Sequence, residues 1–323
     1  MTAEKWSLGL DERLRELFAT GFSNSSIAEA LTNDTGRVIT ADAVKNRAAR
    51  IGLEKDHANG AAALFQQPRE YNHLELGRLT EGSRVLIAFN DMQIPFQDDA
   101  TVDAVLKFAR DFEPTHLVVP GDGFDFYLMS DFDKNPSRQF RFKEELEIGH
   151  KIIKRIELAT PKADRYWIDG NHEDRLRRWL WRHGAALSNL PSLEPAQLMH
   201  LDPDDWTHLK YGSSLNVMGC VIEHGEGGTA NMAPRMFARR GTSGLCGHSH
   251  RLHDYHVTNA GGTHRYIENG CMCSLRPEFI ARPNWQHAFT YAIVKGGKIQ
   301  MFPTLVTPSG FRVEGHWYKR QQE

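Results

Sequence analysis

The chain is organised around one short segment, Val118-Val119-Pro120-Gly121-Asp122-Gly123-Phe124-Asp125. The apolar run over residues 115–119 predicts a buried strand that stops at Pro120 and Gly121. A carboxylate follows where a parallel strand would leave the sheet, and open α/β sheets bind their ligands at such strand ends. A Gly-Asp pair after a strand is most often an ordinary turn, so the functional interpretation depends on other strand ends with the same pattern.

Potential metal ligands follow four more predicted strands in the same way. The clusters are Asn90-Asp91-Met92-Gln93, Gly170-Asn171-His172-Glu173, Glu223-His224-Gly225 and Gly247-His248-Ser249-His250. Carboxylate oxygens, an amide oxygen and imidazoles together suit divalent Mn, Fe or Zn. Each cluster alone is more simply interpreted as a turn or a cap. All of them in this order, each after a strand, predict one pocket that holds two cations.

Residues 91–250 resemble the calcineurin-like metallophosphoesterase family, whose pattern is D-x-H, G-D-x-x-D, G-N-H-[DE], H and G-H-x-H. The resemblance implies an α/β fold, a four-layer α/β/β/α sandwich, with a dinuclear centre. It assigns Asp91, Asp122 and His250 to one cation, which we call the first metal position. It assigns a second set to the other cation, the second metal position, with Asp122 bridging the two: Asp122, Asn171, His224 and His248.

The same resemblance gives His172 and Asp125 the catalytic roles. His172 matches the histidine beside the phosphoryl group, and Asp125 matches the carboxylate that orients it. An imidazole held by a carboxylate keeps one tautomer and is able to donate to a departing oxygen. The expected reaction is in-line attack by a metal-bridging hydroxide, with His172 assisting the leaving group.

Gln93 departs from the family pattern, which has histidine at this position. An amide oxygen is a weaker and harder donor than imidazole, so the first metal position is expected to hold its cation less tightly. It is also expected to favour Mn or Mg over Zn, and Mn²⁺ is the leading choice for the two cations. A protein in which Gln93 is no ligand and the domain is inactive remains the alternative.

The order of predicted elements supports an α/β domain over residues 83–323. Strands are predicted over residues 84–89, 115–119, 166–168, 216–222 and 244–246, and a hairpin over 288–294 and 298–306. Helices are predicted from Asp98 or Asp99, over residues 143–158 and over 174–183. Repeated βα units with a strand-rich end predict two packed sheets with helices outside.

Composition places the chain among ordinary soluble proteins. It has 323 residues, 40% hydrophobic and 25% charged, with a formal net charge of −2, which excludes a protein that coats polyanions over its whole surface. Its four cysteines lack zinc-knuckle spacing and predict reduced, buried thiols in a cytoplasmic protein, although Cys271-Met272-Cys273 could chelate. No signal pattern or membrane span is predicted.

Residues 1–56 predict a separate unit of three short helices. The first helix carries Leu10, Leu14, Leu17 and Phe18 and ends at Gly21. The second carries Ile27, Ala28 and Leu31, and a polar connection follows over residues 32–39. Thr40 caps the third, which buries Val44, Ala48 and Ile51. Residues 57–82 are interpreted as a linker that packs partly on the next domain.

This unit resembles the homeodomain-like helix-turn-helix of bacterial and phage regulators in Gly21-Phe22-Ser23, Ile27-Ala28 and Ala43-Val44-Lys45-Asn46-Arg47. The resemblance implies insertion of the third helix into a major groove, with DNA contacts from Lys45, Asn46, Arg47 and Arg50. A small helical protein-docking domain is the alternative, because the unit is near neutral and its connection is longer than a usual turn.

A helix-turn-helix beside a phosphoesterase makes DNA the expected substrate and partner, and nuclease action on phosphodiester bonds the leading hypothesis. Arg175 and Arg239 are candidates for contact with substrate phosphates, since guanidinium groups suit them. The candidates for a base-stacking rim are His253, His256, Trp285 and His287. The alternatives are an enzyme for small nucleotides or phosphoproteins, and a DNA-binding regulator with an inactive phosphoesterase domain.

Overall fold

The computed structural model describes residues 6, 8–19, 24–53, 71–86, 88–137, 141–228 and 230–320. The chain forms two compact units, Met1–Glu70 and Tyr71–Glu323. None of the helices in these ranges is both long enough and apolar enough to cross a membrane.

The described part of the first unit consists of three helices, α1 (Leu8–Ala19), α2 (Asn24–Thr35) and α3 (Ala41–Arg50). Apolar side chains spaced along each helix meet in one small core that includes Leu14, Ile27 and Val44. The Thr40 hydroxyl caps α3 by accepting the Ala43 backbone N–H at 3.2 Å. Helix α2 extends to Thr35, so the first part of the predicted polar connection is helical. The predicted helix end at Gly21 lies outside the described residues.

The second unit contains two six-stranded sheets and a separate hairpin. The strands are β1 (His73–Leu76), β2 (Arg84–Leu86), β3 (His116–Pro120), β4 (Asp164–Ile168), β5 (Trp206–Leu209), β6 (Ser214–Val217), β7 (Cys220–Glu223), β8 (Gly244–Cys246), β9 (Leu252–Asn259), β10 (Gly262–Asn269), β11 (Ala288–Lys295), β12 (Lys298–Leu305), β13 (Gly310–Val313) and β14 (His316–Lys319). One sheet has the order β1-β6-β7-β8-β10-β9, the other β12-β11-β2-β3-β4-β5, and β13 pairs with β14.

The helices of the second unit are α4 (Asp99–Phe112), α5 (Phe142–Ala159), α6 (Glu173–His183), α7 (Pro195–Leu198) and α8 (Met232–Arg240). The predicted helices, one beginning at Asp98 or Asp99 and two over residues 143–158 and 174–183, are therefore confirmed. Asp98 is the N-cap of α4 and accepts the Thr101 backbone N–H at 2.8 Å. Helices α7 and α8 and the three short 3₁₀ turns were not predicted.

The two sheets pack face to face and helices cover their outer faces. Val118 and Ile168 of one sheet meet Leu215 and Ile222 of the other in a buried apolar layer. Helices α4, α5 and α6 cover the outer face of the β3-β4 sheet, and α8 covers the other sheet through Met232, Met236 and Tyr266. The predicted pair of packed sheets with outer helices is confirmed.

One local prediction was wrong. Residues 216–222 do not form one strand: they contain the end of β6, a turn at Met218 and Gly219, which both have positive φ (51° and 83°), and most of β7. The apolar run continues through the turn, so periodicity alone did not reveal it. Residues 73–76 of the predicted linker form β1, a strand that was not predicted; it pairs with β6 and packs Leu74 and Leu76 against the core between the sheets.

Candidate metal centre

The strands bring their carboxyl ends to one edge of the sandwich. Strands β2, β3 and β4 are parallel neighbours in one sheet, and β7 and β8 are parallel neighbours in the other. The turns that follow these strands carry the residues assigned to the two metal positions: Asp91, Gln93, Asp122, Asn171, His224, His248 and His250. Because parallel strands end at the same side, the topology itself gathers these side chains.

The second metal position is a compact group of donors. His224 Nε2 lies 3.0 Å from Asn171 Oδ1 and 3.3 Å from Asp122 Oδ2. His248 Nδ1 lies 3.3 Å from His224 Nε2, and the ligand atoms of Asp122, His224 and His248 all lie within 4.8 Å of one another. Backbone carbonyls of Pro120 and Gly227 lie 2.9 and 2.8 Å from the outer nitrogens of His224 and His248. Those outer nitrogens therefore carry the protons, and the inner nitrogens offer lone pairs to a cation.

The first metal position has fewer donors in place, and the Gln93 amide nitrogen, not its oxygen, faces His250. His250 Nε2 lies 3.3 Å from Asp91 Oδ1 and 3.2 Å from Gln93 Nε2. Asp91 Oδ1 is buried and, apart from this ion-pair contact with His250, has no well-formed hydrogen bond from a described residue, which is unusual for a carboxylate oxygen away from solvent. A cation is the natural partner for such an oxygen.

Backbone hydrogen bonds join the two positions into one centre. The His248 backbone N–H donates to Asp91 Oδ2 at 2.9 Å, and the Gln93 N–H donates to the Asp122 carbonyl at 2.9 Å. The Asp91 N–H donates to the Gly121 carbonyl at 3.1 Å. These bonds fix the spacing of the carboxylates of Asp91 and Asp122 before any cation binds.

The backbone at these donors is strained in a way that is common at functional sites. The candidate ligands with left-handed φ values, between 49° and 69°, are Asp91, Gln93, Asp122, His248 and His250. Such residues persist where the surrounding structure holds them and where the side chain has a task. The glycines complete the arrangement: a Cβ on Gly170 would stand 2.0 Å from Asp122 Oδ1.

The electrostatics of the centre favour positive charge. Burial opposes ionisation of Asp122, but the neighbouring imidazoles of His172 and His224 hold the pKa of this carboxyl well below its ordinary value. Burial also disfavours the charged form of His224, yet Asp122 raises the pKa of its imidazole to about 9. The buried carboxylates thus favour a positive charge beside them, which is supplied by a proton on His224 when no cation is bound.

His172 lies at the edge of the second metal position with two acidic neighbours. Its Nε2 is 3.5 Å from Asp122 Oδ2, and its Nδ1 is 3.6 Å from Asp125 Oδ2. Arg175 donates to His172 Nε2 at 2.7 Å and to the side chain and carbonyl of Asp125 at 2.8 Å. Arg175, predicted to contact substrate phosphate, is therefore within the centre and engaged with His172.

Glu173 has a positional role that sequence reasoning missed. Its carboxylate accepts the backbone N–H groups of Gly170, Asp122, Gly123 and Phe124 at 2.7–3.1 Å. One side chain thus joins the turn after β3 to the turn after β4. Burial and the charge of Asp122 raise the pKa of Glu173 to about 8. Its place at the start of a helix directly after Asn171-His172 was the available signal.

Several other predicted contacts have different neighbours from those expected. Arg47 pairs with Asp11 (Nε–Oδ1 2.8 Å) and lies over the Trp6 ring, whereas Lys45, Asn46 and Arg50 are exposed on α3. Arg239, which lies on the outer helix α8, pairs with Glu226.

The four candidates for a base-stacking rim have different surroundings. His253 pairs with Glu268 and His256 with Asp254, both at 3.1 Å. Trp285 packs against His250 with ring centroids 4.2 Å apart, so it does lie beside the metal centre. His287 is buried and hydrogen-bonded to Thr101 and the Cys273 carbonyl, so it cannot present its ring to a base.

The residues of the centre fit divalent cations. The set combines two buried carboxylates, an amide oxygen and three imidazoles, and backbone carbonyls fix the outer nitrogens of two of these, His224 and His248. The lack of a well-formed hydrogen bond from the described residues to Asp91 Oδ1 and the close approach of Gly170 to Asp122 are further features that a metal centre explains.

Comparisons with known proteins give relatives but no activity. The gene 54 protein of Mycobacterium phage D29 is 27% identical over 253 residues, covering 72% of this chain and 98% of that protein. The gene 54 protein of Mycobacterium phage L5 is 26% identical over 260 residues, with the same coverage. Neither name states an activity, and no family model matches the chain.

Among solved structures, Vps29 from Entamoeba histolytica (D62A mutant) covers 71% of this chain and 96% of its own, with 10% identity and a TM-score of 0.39. Vps29 from Chaetomium thermophilum covers 74% and 100%, with 9% identity and a TM-score of 0.40. Likenesses at this level are too low to bear on the function, which depends on the residues of the centre.

Proposed function

We propose that this chain is a dinuclear-metal-dependent phosphoesterase that hydrolyses phosphodiester bonds, with DNA as its substrate. The observation that carries the proposal is the position of Asp122. Its carboxylate lies 3.3 Å from His224 Nε2 on one side and 3.5 Å from His172 Nε2 on the other. The carboxylate expected to bridge the two cations and the imidazole expected to act as general acid are thus neighbours, which supports phosphoryl transfer to water.

The chain's own residues would hold two cations. Asp91, Gln93 and His250 would hold one, and Asn171, His224 and His248 the other, with Asp122 between them. When bound, the cations would activate water and offset the charge of the phosphoryl oxygens. The amide oxygen of Gln93 favours Mn²⁺ or Mg²⁺ over Zn²⁺ at the first position.

His172 and Arg175 would handle the leaving group. Water adds to phosphorus as the ester P–O bond breaks, and the departing oxygen requires a proton. His172 Nε2 faces the centre but accepts an N–H of Arg175. A phosphoryl oxygen would attract that guanidinium away, because Arg binds phosphate through paired N–H donors. Nε2 would then be free to carry the proton to the leaving oxygen.

The preference for DNA rests on the first unit. Helix α3 exposes Lys45, Asn46 and Arg50 on a small three-helix core, which is the arrangement a recognition helix requires. Arg47 would contribute only if a phosphate replaced Asp11 as its partner. This part of the proposal is independent of the metal chemistry.

Hydrolysis assays test the proposal in two steps. The full chain with Mn²⁺ is expected to cleave bis-p-nitrophenyl phosphate faster than the monoester, and to cleave labelled single- or double-stranded DNA. Intact DNA at high enzyme concentration, with the small diester still cleaved, would remove the nuclease assignment and leave a phosphoesterase for small substrates. For the first unit, Lys45→Ala with Arg50→Ala should weaken duplex binding by the full chain and reduce its salt dependence. Glu29→Ala, an exposed change on α2, is the matched control.

Two contacts favour a second function, a DNA-binding regulator with an inactive domain. The Gln93 amide lies against His250 at the first metal position, and Arg175 occupies His172 Nε2. A full chain that binds duplex DNA but hydrolyses neither diester nor monoester with Mn²⁺, Mg²⁺ or Zn²⁺ would establish this alternative.

A further inference from the structure

A second group of potential ligands lies directly behind the first metal position. Cys271, Cys273 and His250 are buried, and their ligand atoms lie within 4.8 Å of one another. Both cysteines sit in isolated bridge pairings, Cys271 with His287 and Cys273 with Gln97, and the chain bends at Met272 between them. The apolar side chain of Met272 packs in the core between the β3-β4 sheet and its outer helices.

The imidazole of His250 stands between this group and the first metal position. Its Nε2 faces Asp91 and Gln93, at 3.3 and 3.2 Å, and its Nδ1 lies 3.6 Å from Cys273 Sγ. His224 and His248 have backbone carbonyls at their outer nitrogens, whereas the outer nitrogen of His250 has a thiol. A thiol is itself a metal ligand once its proton leaves.

We propose that His250, Cys271 and Cys273 form a binding site for one thiophilic cation, such as Zn²⁺, Cd²⁺ or Cu⁺. Two sulfurs and an imidazole are the donors that select such ions. Zn–S bonds of about 2.3 Å and Zn–N bonds of about 2.0 Å place tetrahedral ligand atoms roughly 3.5–3.8 Å apart. The Nδ1–Sγ distance of 3.6 Å already matches, and the remaining separations, within 4.8 Å, need only small side-chain rotations.

Occupation of this site would exclude His250 from the first metal position. A neutral imidazole has one lone pair, on whichever nitrogen lacks the proton. If Nδ1 binds the thiophilic cation, Nε2 carries the proton and points an N–H at Asp91 and Gln93. The first metal position would then keep only oxygen ligands. A soft cation at the cysteines and a hard cation at the first position are therefore expected to compete.

Cadmium titration of the full chain tests the site without any assay of activity. In the wild-type protein, the ultraviolet Cd–thiolate absorption should rise and saturate at one equivalent. The Cys271→Ser/Cys273→Ser variant should lose that absorption. The matched control is Cys220→Ser, which removes a buried thiol beside Met301 in the core between the two sheets. This variant should keep the absorption.

Two measurements on the wild-type protein cover the case in which the double variant fails to fold. The ¹¹³Cd resonance should lie in the range of sulfur-rich ligation rather than that of oxygen and nitrogen ligation. Manganese bound per chain, counted by EPR, should fall by one when one equivalent of Cd²⁺ is added. A wild-type chain with no thiolate absorption and an oxygen-type ¹¹³Cd resonance would overturn the proposal.

The outcome is separable from that of the phosphoesterase proposal. If the chain shows the Cd–thiolate signature but binds no Mn²⁺, the thiophilic site is supported and the dinuclear centre is contradicted. If the chain binds two Mn²⁺ at every Cd²⁺ concentration, the dinuclear centre is supported and the competition through His250 is contradicted.

Discussion

The two proposed metal positions, which are expected to share Asp122, differ in how the outer nitrogens of their imidazoles are held. At the second position, carbonyls of Pro120 and Gly227 fix the tautomers of both imidazoles. At the first position, the outer nitrogen of His250 faces a thiol and its inner nitrogen faces the amide of Gln93. Outer hydrogen bonds of this kind change metal affinity by about 10–100-fold. For the proposed dinuclear centre, the difference predicts a tightly bound second cation and a weakly held, exchangeable first cation.

The largest expected effect comes from the residue common to both positions. Asp122→Asn should reduce diester hydrolysis by about 10³-fold or more, since the bridging charge acts on both cations and is worth several kcal/mol in the transition state. Steady-state kinetics with bis-p-nitrophenyl phosphate measures it. An equally buried carboxylate away from the bridge, Glu268→Gln, is the control, and equal losses in the two variants would contradict a special role for Asp122.

His172 tests the catalytic edge of the second position. His172→Ala should lower kcat by about 10²-fold for a diester with a poor leaving group, because proton donation of this kind contributes about 10²–10⁴. The loss should shrink for p-nitrophenolate, which departs without a proton. The comparison of leaving groups is the measurement. A loss of the same size for both would show that His172 acts on binding or structure instead.

The first position is tested by restoring the imidazole that the family pattern contains. Gln93→His should tighten the weaker of two Mn²⁺ affinities by about 10-fold and leave the stronger one unchanged. Calorimetric or EPR titration separates the two. Two equal affinities in the wild-type chain, or a change in the tighter one, would break the distinction between the positions.

The smallest expected effect lies in the support behind the first position. Asp98 pairs with Arg320, and its N–H donates to the Met272 carbonyl at 2.8 Å, between the two cysteines. Asp98→Asn should keep the α4 cap but lose the ion pair, costing about 1 kcal/mol at pH 7 by denaturant unfolding. Any change in metal affinity should appear at the first position only.

The pH dependence of this variant follows from the pKa of Asp98. Burial opposes its ionisation, but the bonds from Arg320 and Thr101 hold the pKa below its ordinary value of 3.8. A depressed folded-state pKa stabilises the chain above that value, and the stability is lost as pH falls below it. The difference from wild type should thus vanish in acid. The control Asp103→Asn, an exposed carboxylate on the same helix, should change stability by less than about 0.5 kcal/mol.

The ends of the strands were the part of this protein that the sequence predicted best. The apolar run before Asp122 predicts a strand, and the polar residues after it predict which side chains the end of that strand carries. The structure brings all the candidate ligands to one edge, although their metal binding stays a prediction. The hairpin β9-β10 was missed because β9 is mostly exposed and polar, β10 is exposed at its start and buried at its end, and neither strand carries a clear apolar alternation.

Side chains whose partners are distant in sequence could not be predicted. Arg47 meets Asp11, 36 positions away, and Arg175 meets Asp125, 50 positions away. Whether such an arginine faces solvent, substrate or a carboxylate depends on packing that periodicity does not describe. The same holds for Cys273, whose thiol matters only because the fold places it against His250.

The left-handed backbone at the candidate ligands has a consequence for how this protein changes under selection. Each such residue other than glycine costs roughly 1–2 kcal/mol relative to an ordinary conformation. Random substitution toward glycine at Asp91, Gln93, Asp122, His248 or His250 should therefore be tolerated or even favoured when only folding is selected. Laboratory evolution for thermal resistance alone should erase these side chains first, and the positions that resist such drift in a selection for function would mark the true ligands.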